Sequence, residues 1–233
     1  MRLLIGKDEQ EVGLIAASQL KTLIKNFPDG VFAFPFSQKM MPLFDYTVHM
    51  VEDKRVDFAN ISVMGTHEWV GLSPEHPESI AFQLNEVFFK HLKVKEENVY
   101  VFDGKISNLK EATRDYNMIM DDLGGLDVLI SEVGNQGQIA MIEPAGALIP
   151  RIHVSSEADS TKHQAITLGV ADFLSAKHVY VIAYGITQRE VVQRLLTDKR
   201  IDPQFPVSFL HLHPNATLIT DWDAVGDLVK ENN

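Results

Sequence analysis

What most constrains this chain is an alternation. Apolar runs of about four to six residues recur along it, separated by longer segments whose apolar residues fall at helical spacing. The spacing predicts helices over Glu9–Lys25, Met41–Glu52, Pro77–Leu92, Leu109–Leu123, Ser160–Ser175, Gln188–Leu196 and Asp223–Lys230. Between them, Val31–Phe36, Ile61–Met64, Val99–Phe102, Leu126–Ile130, Val179–Ala183, Val207–Leu212 and Ala216–Thr220 are predicted strands. Strands that are apolar throughout, rather than alternating, must be covered on both sides, which calls for a mostly parallel α/β sheet with helices on both faces. No Pro/Gly/Ser-rich linker interrupts the pattern, so one domain is expected. In such sheets ligands bind at the carboxyl ends of the strands. The loops after Phe36, Met64, Ile130 and Ala183 are therefore where chemistry is expected.

Composition removes several function classes. The 233 residues contain no cysteine, which excludes disulfides, thiolate nucleophiles and cysteine-ligated metals. The formal charge of −11, without any long run of Lys and Arg, argues against nucleic acid and anionic membranes as partners. No secretory signal is recognisable at the start, and no apolar run approaches the roughly 20 residues of a membrane span. A cytoplasmic protein is expected.

Two loops hold candidate groups. Ser131 to Pro144 contains Gly134-Asn135-Gln136-Gly137-Gln138, whose glycines would let backbone N–H groups approach a ligand. It lacks the third glycine of a dinucleotide fingerprint. Gly65 to Ser79 contains His67-Glu68 at a strand end, where an imidazole could serve as a general base. The same loop also reads as a surface turn with Ser73 or Pro77 starting the next helix.

The larger pattern resembles a known family. Its carriers are the N-terminal Met1-Arg2-Leu3 strand, Glu68-x-Val70-Gly71-Leu72 with His76-Pro77-Glu78-Ser79, and Gly134-Asn135-x-Gly137-x-Ile139-Ala140-x-x-Glu143-Pro144. Ala165-Ile166-Thr167-Leu168-Gly169-Val170 and Leu212-His213-Pro214-Asn215-Ala216 complete it. In this order and spacing they are similar to the glucosamine-6-phosphate deaminase/isomerase family, relatives of the 6-phosphogluconolactonases. Glu143-Pro144 and Leu212-His213-Pro214 favour the amino-sugar branch. The resemblance implies a three-layer Rossmann-like fold as a single domain over residues 1–233, and a role in carbohydrate metabolism needing no cofactor or metal.

Enzymes of that family open the sugar ring, move a proton between C2 and C1, and release ammonia to give fructose 6-phosphate. The resemblance places His67 where the family has its aspartate base, and Gln136 and Gln138 where it has the Asp and His of the ring-opening segment. Only Glu143 keeps the family residue, so three of the four matched positions differ. Histidine can accept a proton near neutral pH, whereas glutamine keeps hydrogen-bonding shape but exchanges no proton. The family's glycine-rich phosphate loop corresponds to Pro35-Phe36-Ser37-Gln38-Lys39-Met40, where Ser37 and Lys39 remain as a hydroxyl and a positive charge. A lysine assisting the phosphate aligns with Gln188, beside Arg189, and the segment between Pro144 and Ala165 is shorter than the family's lid.

These departures leave two expectations. One is a sugar or sugar-phosphate binding or regulatory protein that has lost or altered deaminase chemistry. The other is an active isomerase or hydrolase of changed substrate, with His67 as base and Glu143 as acid in an aldose to ketose isomerisation. In either case Ser37, Lys39, Gly134, Gly137 and Arg189 are the expected ligand-binding residues; a homo-oligomer is left open. A purely structural subunit has nothing specific in its favour. Elsewhere, His211-x-His213 sets two imidazoles on one face of a predicted strand, but no third ligand is apparent and a structural histidine is the simpler expectation. Trp69 and Trp222 suit packing as well as ligand stacking, and Asp221 and Asp223 suit a helix start.

Overall fold

The computed structural model describes residues 1–139, 141–155 and 164–228. Ten strands are formed: β1 (Arg2–Gly6), β2 (Val31–Phe34), β3 (Ser62–Gly65), β4 (His67–Trp69), β5 (Val99–Tyr100), β6 (Val128–Glu132), β7 (His153–Val154), β8 (Ala165–Thr167), β9 (His178–Ile182) and β10 (Ala216–Asp221), among the described residues. The helices are α1 (Glu9–Asn26), α2 (Met41–Glu52), α3 (Ile80–Val87), α4 (Leu109–Asp122), α5 (Val170–Ser175), α6 (Arg189–Thr197) and α7 (Trp222–Val225). Seven strands make one sheet in the order β1-β10-β9-β6-β2-β3-β5, and every pairing in it is parallel. Three short strands form a separate antiparallel sheet, β4-β8-β7, just beyond the end of β3.

The apolar strands are buried on both sides, as their composition requires. Phe32, Phe34, Val128, Ile130, Tyr180 and Ile182 face one hydrophobic cluster with Leu20 of α1, Phe44 of α2 and Leu84 of α3. Their neighbours Ala33, Leu129, Val179 and Val181 face the other cluster, with Met120 of α4, Phe173 of α5, Val192 of α6 and Val225 of α7. This alternation gives the three layers. Among the described residues no helix is long and apolar enough to cross a membrane.

Strand order positions the site. From β2 the chain steps outward through β3 to β5, whereas from β6 it steps the opposite way through β9 to β10. The direction reverses between β2 and β6, so the crevice at their carboxyl ends is the switch point where an open α/β sheet binds ligands.

Several elements differ from the sequence expectations. Val207–Leu212 lies in a 3-10 helix, Pro206–Leu212, rather than in a strand. Proline suits a first helical position, and a short buried apolar run has no period that separates strand from helix. Part of Ser160–Ser175 lies outside the described residues; of the remainder, Ala165–Thr167 is strand β8 and only Val170–Ser175 is helical. The helix expected from Pro77 starts at Ile80, because Ser79 and not Ser73 or Pro77 caps it, its Oγ accepting from the Phe82 N–H at 3.2 Å. The last helix is short, and residues 229–230 of the expected element lie outside the described residues.

Candidate functional site

Two segments meet at the switch point. After β2 the chain turns through Ser37 into a 3-10 turn, Gln38–Met40, that runs on into α2. After β6 it forms the Gly134 loop, closed by Gly134 N–H to the Gln138 carbonyl and Gly137 N–H to the Gly134 carbonyl, each 2.9 Å. Gly137 has φ +82, and a Cβ there would lie 2.3 Å from the Phe205 ring, so the turn needs glycine for both conformation and space. Between the two segments lies a cavity of about 500 Å³ whose wall includes Lys39, Glu132, Gly134, Asn135, Gln136, Gln138 and Glu143.

Inside this cavity the two glutamines bond to each other's residue. The Gln138 Oε1 accepts the Gln136 backbone N–H at 3.0 Å, and the Gln138 amide approaches the Gln136 Oε1 at 3.5 Å. Below the loop, fully buried Gln188 donates from Nε2 to the Asn135 Oδ1 at 2.6 Å. Gln188 thus braces the loop from beneath. Opposite the loop, Ser37 Oγ donates to Glu132 Oε2 at 2.7 Å. Burial pushes the Glu132 carboxyl above its usual range, against the opposing effects of the Ser37 hydrogen bond and the Lys39 charge. Burial likewise pulls the Lys39 ammonium down, with Glu132 acting in the other direction. Tyr184, whose hydroxyl donates to the Lys39 carbonyl at 3.3 Å, is pushed up to about 12, first by burial and then by the charges of Glu9, Asp221 and Glu132.

The expected site residues therefore divide. Lys39, Gly134, Gln136, Gln138 and Glu143 line one cavity. Ser37 reaches it through Glu132, and Gly137 shapes its loop. Arg189 is directed elsewhere, its Nε donating to the Asp223 carbonyl at 2.7 Å. His67, on β4, is not among the residues of this wall. It lies edge-on to Trp69 with ring centroids 5.7 Å apart and shares a 3.0 Å hydrogen bond between Nδ1 and Thr66 Oγ1. Burial pulls His67 down to about 4, so the expected match to neutral pH does not hold: at pH 7 the imidazole is neutral and only weakly basic.

Neighbouring candidates are structural. Glu68 is wholly buried, and its carboxylate accepts from Ser79 Oγ at 2.6 Å and from the backbone N–H groups of Trp69, Ile80 and Ala81 at 2.7, 3.1 and 2.9 Å. A carboxylate at the start of α3 satisfies N–H groups that have no intrahelical partner. His213 bonds through Nε2 to the Ala176 carbonyl at 2.7 Å and through Nδ1 to the Asn215 N–H at 3.1 Å, so it has no valence left for a metal. His211 lies in the 3-10 helix Pro206–Leu212 and His213 follows its end, so the two do not share a strand face. Asp221 caps α7, accepting the Ala224 N–H at 2.9 Å. The sequence reading passed over Glu132; an acidic residue closing the apolar run of β6 at the switch point was the available signal.

Known proteins share this chain's sequence pattern and fold. Residues 38–219 match the family described as glucosamine-6-phosphate isomerases/6-phosphogluconolactonase. A glucosamine-6-phosphate deaminase of Geobacillus sp. (strain WCH70) is 26% identical over 97% of this chain and 95% of its own length. One from Clostridium beijerinckii is 29% identical over 95% and 97% respectively. Among solved structures, a monomeric glucosamine-6-phosphate deaminase superposes with TM-score 0.89 at 28% identity, covering 96% of this chain and 98% of the other. The 6-phosphogluconolactonase from Trypanosoma brucei, at 16% identity and TM-score 0.77 over 97% and 98% of the two chains, shares the fold. The chain belongs to the glucosamine-6-phosphate isomerase/6-phosphogluconolactonase family, as a sugar-phosphate isomerase/deaminase-like protein.

Proposed function

We propose that this chain, read as one domain over residues 1–233, binds a sugar in the cavity between β2 and β6 and has lost the deaminase reaction of its relatives. The observation that carries the reading is the pairing of Gln136 with Gln138 in the cavity wall. Two carboxamides recognise hydroxyl groups well, since each offers both a donor and an acceptor, but neither relays a proton. Glu143 is then the one titratable group among these three positions. Ring opening needs a proton delivered to the ring oxygen and another withdrawn from the anomeric hydroxyl, and the carboxamides of Gln136 and Gln138 exchange none at the two positions where the family resemblance expects titratable side chains. The alternative, with His67 as base and Glu143 as acid, gains little from the geometry. His67 stands outside this cavity wall, and its depressed basicity slows proton abstraction at neutral pH.

The purified protein is expected to release neither ammonia nor fructose 6-phosphate from glucosamine 6-phosphate, while sugars of this class raise its melting temperature. Turnover within tenfold of a typical enzyme, roughly 10 per second, would overturn the loss of chemistry. An activity on a wider sugar panel that collapses in both His67→Ala and Glu143→Gln would establish the isomerase alternative instead.

A further inference from the structure

The hydroxyl at the switch point already has an acidic partner, and it belongs to the protein. Ser37 Oγ gives its only proton to Glu132 Oε2 at 2.7 Å, and Lys39 lines the same cavity wall as Glu132, close enough for each charge to act on the other. From the turn after β2, Lys39 stands in the described cavity wall and Ser37 reaches it through Glu132. We infer that Glu132 acts as an internal anion at this end of the cavity, so that the site takes an unphosphorylated sugar, neutral or bearing an amine, rather than a sugar phosphate. This deepens the sugar-binding reading and rests on it.

Three observations converge. First, a phosphate dianion drawn to Ser37 and Lys39 would have to sit beside the Glu132 carboxylate in a half-buried setting, where like charges repel strongly. Second, among the described residues of the wall Lys39 is the one cation. Gln188 is uncharged and committed to Asn135, the Arg189 guanidinium is committed to the Asp223 carbonyl, and the described wall carries two carboxylates, Glu132 and Glu143, against one lysine. Third, what the wall does offer suits hydroxyl and ammonium groups. Carboxylates accept from them, and the Gln136 and Gln138 amides supply both donors and acceptors. The net charge of −11 adds a weak field of the same sign.

Calorimetric titration of the full chain at fixed ionic strength, with glucosamine, glucosamine 6-phosphate and inorganic phosphate as probes, tests the assignment. The wild type is expected to bind glucosamine at least about tenfold more tightly than its 6-phosphate and to show no measurable heat with inorganic phosphate. Glu132→Gln, which keeps the shape and a hydrogen bond to Ser37, is expected to gain at least about tenfold in affinity for inorganic phosphate; adding Lys39→Met should remove the gain. Wild-type preference for the phosphorylated sugar overturns the inference, needs no variant, and leaves the sugar-binding reading intact. Failure of a folded Glu132→Gln to gain phosphate binding also overturns it. If neither sugar binds the wild type but Glu132→Gln gains phosphate, Glu132 is upheld as the internal anion and the sugar reading falls.

Discussion

Removing the Glu68 carboxylate should cost more stability than any other single polar truncation near the site. In Glu68→Ala, the hydroxyl of Ser79 and the N–H groups of Trp69, Ile80 and Ala81 lose their acceptor together. Each buried donor left unsatisfied costs about 1–3 kcal/mol. Four independent losses would give an upper range of about 4–12 kcal/mol on that scale. The true figure is smaller for two reasons. Trp69 is half-buried and its N–H can reach water, and the space vacated by a carboxyl can admit a water that serves two of the other donors. A loss of about 3–5 kcal/mol is expected, comparable to breaking a buried charged interaction. Glu68→Gln keeps one oxygen but turns an NH₂ toward either the Trp69 and Ile80 donors or the Ala81 donor, so it should lose about 1–3 kcal/mol. Urea unfolding followed by circular dichroism at neutral pH measures both, with Glu75→Ala, an exposed change of the same chemistry in the same loop, as the control near zero. A Glu68→Ala loss below about 1 kcal/mol, at unchanged m-value, would refute the claim that this carboxylate holds the start of α3.

Two further outcomes follow from the same structure. Gly137→Ala should lower the melting temperature and loosen the loop, by about 2–4 kcal/mol in unfolding free energy, because the residue has φ +82 and its Cβ would meet the Phe205 ring; a neutral effect in thermal unfolding would mean the loop relaxes freely. For His67, the folded value of about 4 lies below the unfolded value near 6.5, so between the two the unfolded chain holds the extra proton. Stability is therefore full above about pH 6.5 and lost as pH falls through about 4, reaching about 2–3 kcal/mol near pH 4.5. His67→Gln should flatten that part of the urea-stability profile, and an unchanged slope would show that other groups cause it.

The layered sheet was legible because its cause is local. A run such as Val128-Leu129-Ile130 has no polar face, and only a sheet covered on both sides accommodates it. The site loops were legible for a related reason, since strand ends are found once strands are. What escaped depended on partners distant in sequence. Glu132 gains its meaning from Ser37, 95 residues away, and Gln188 from Asn135, 53 residues away. Neither relation leaves a periodic trace. The Pro206–Leu212 helix escaped because buried apolar residues read alike in either conformation. His67 looked well placed as a base because an imidazole's ordinary pKa was assumed, and burial, which sequence does not report, moves it.

The motifs that tie this chain to its family turn out, where their contacts can be followed, to be held in place by structural needs. Glu68 clamps the start of α3, Gly137 makes room for Phe205, and His213 bridges the Ala176 carbonyl and the Asn215 N–H. Each would be required whatever the cavity did, because each satisfies a buried polar group or a backbone conformation that the fold itself creates. Residues facing the cavity carry no such obligation. Gln136 and Gln138 could be exchanged for other polar residues with little effect on the core, since Gln136 is exposed and Gln138 half-exposed. Identity of 26–29% across nearly the whole chain can therefore preserve the scaffold in full while leaving the ligand open to change. Under the proposed reading, the decisive difference is a short set of cavity side chains, with Glu132 at its centre. A change of ligand charge is then reached by altering groups on which the sheet does not depend.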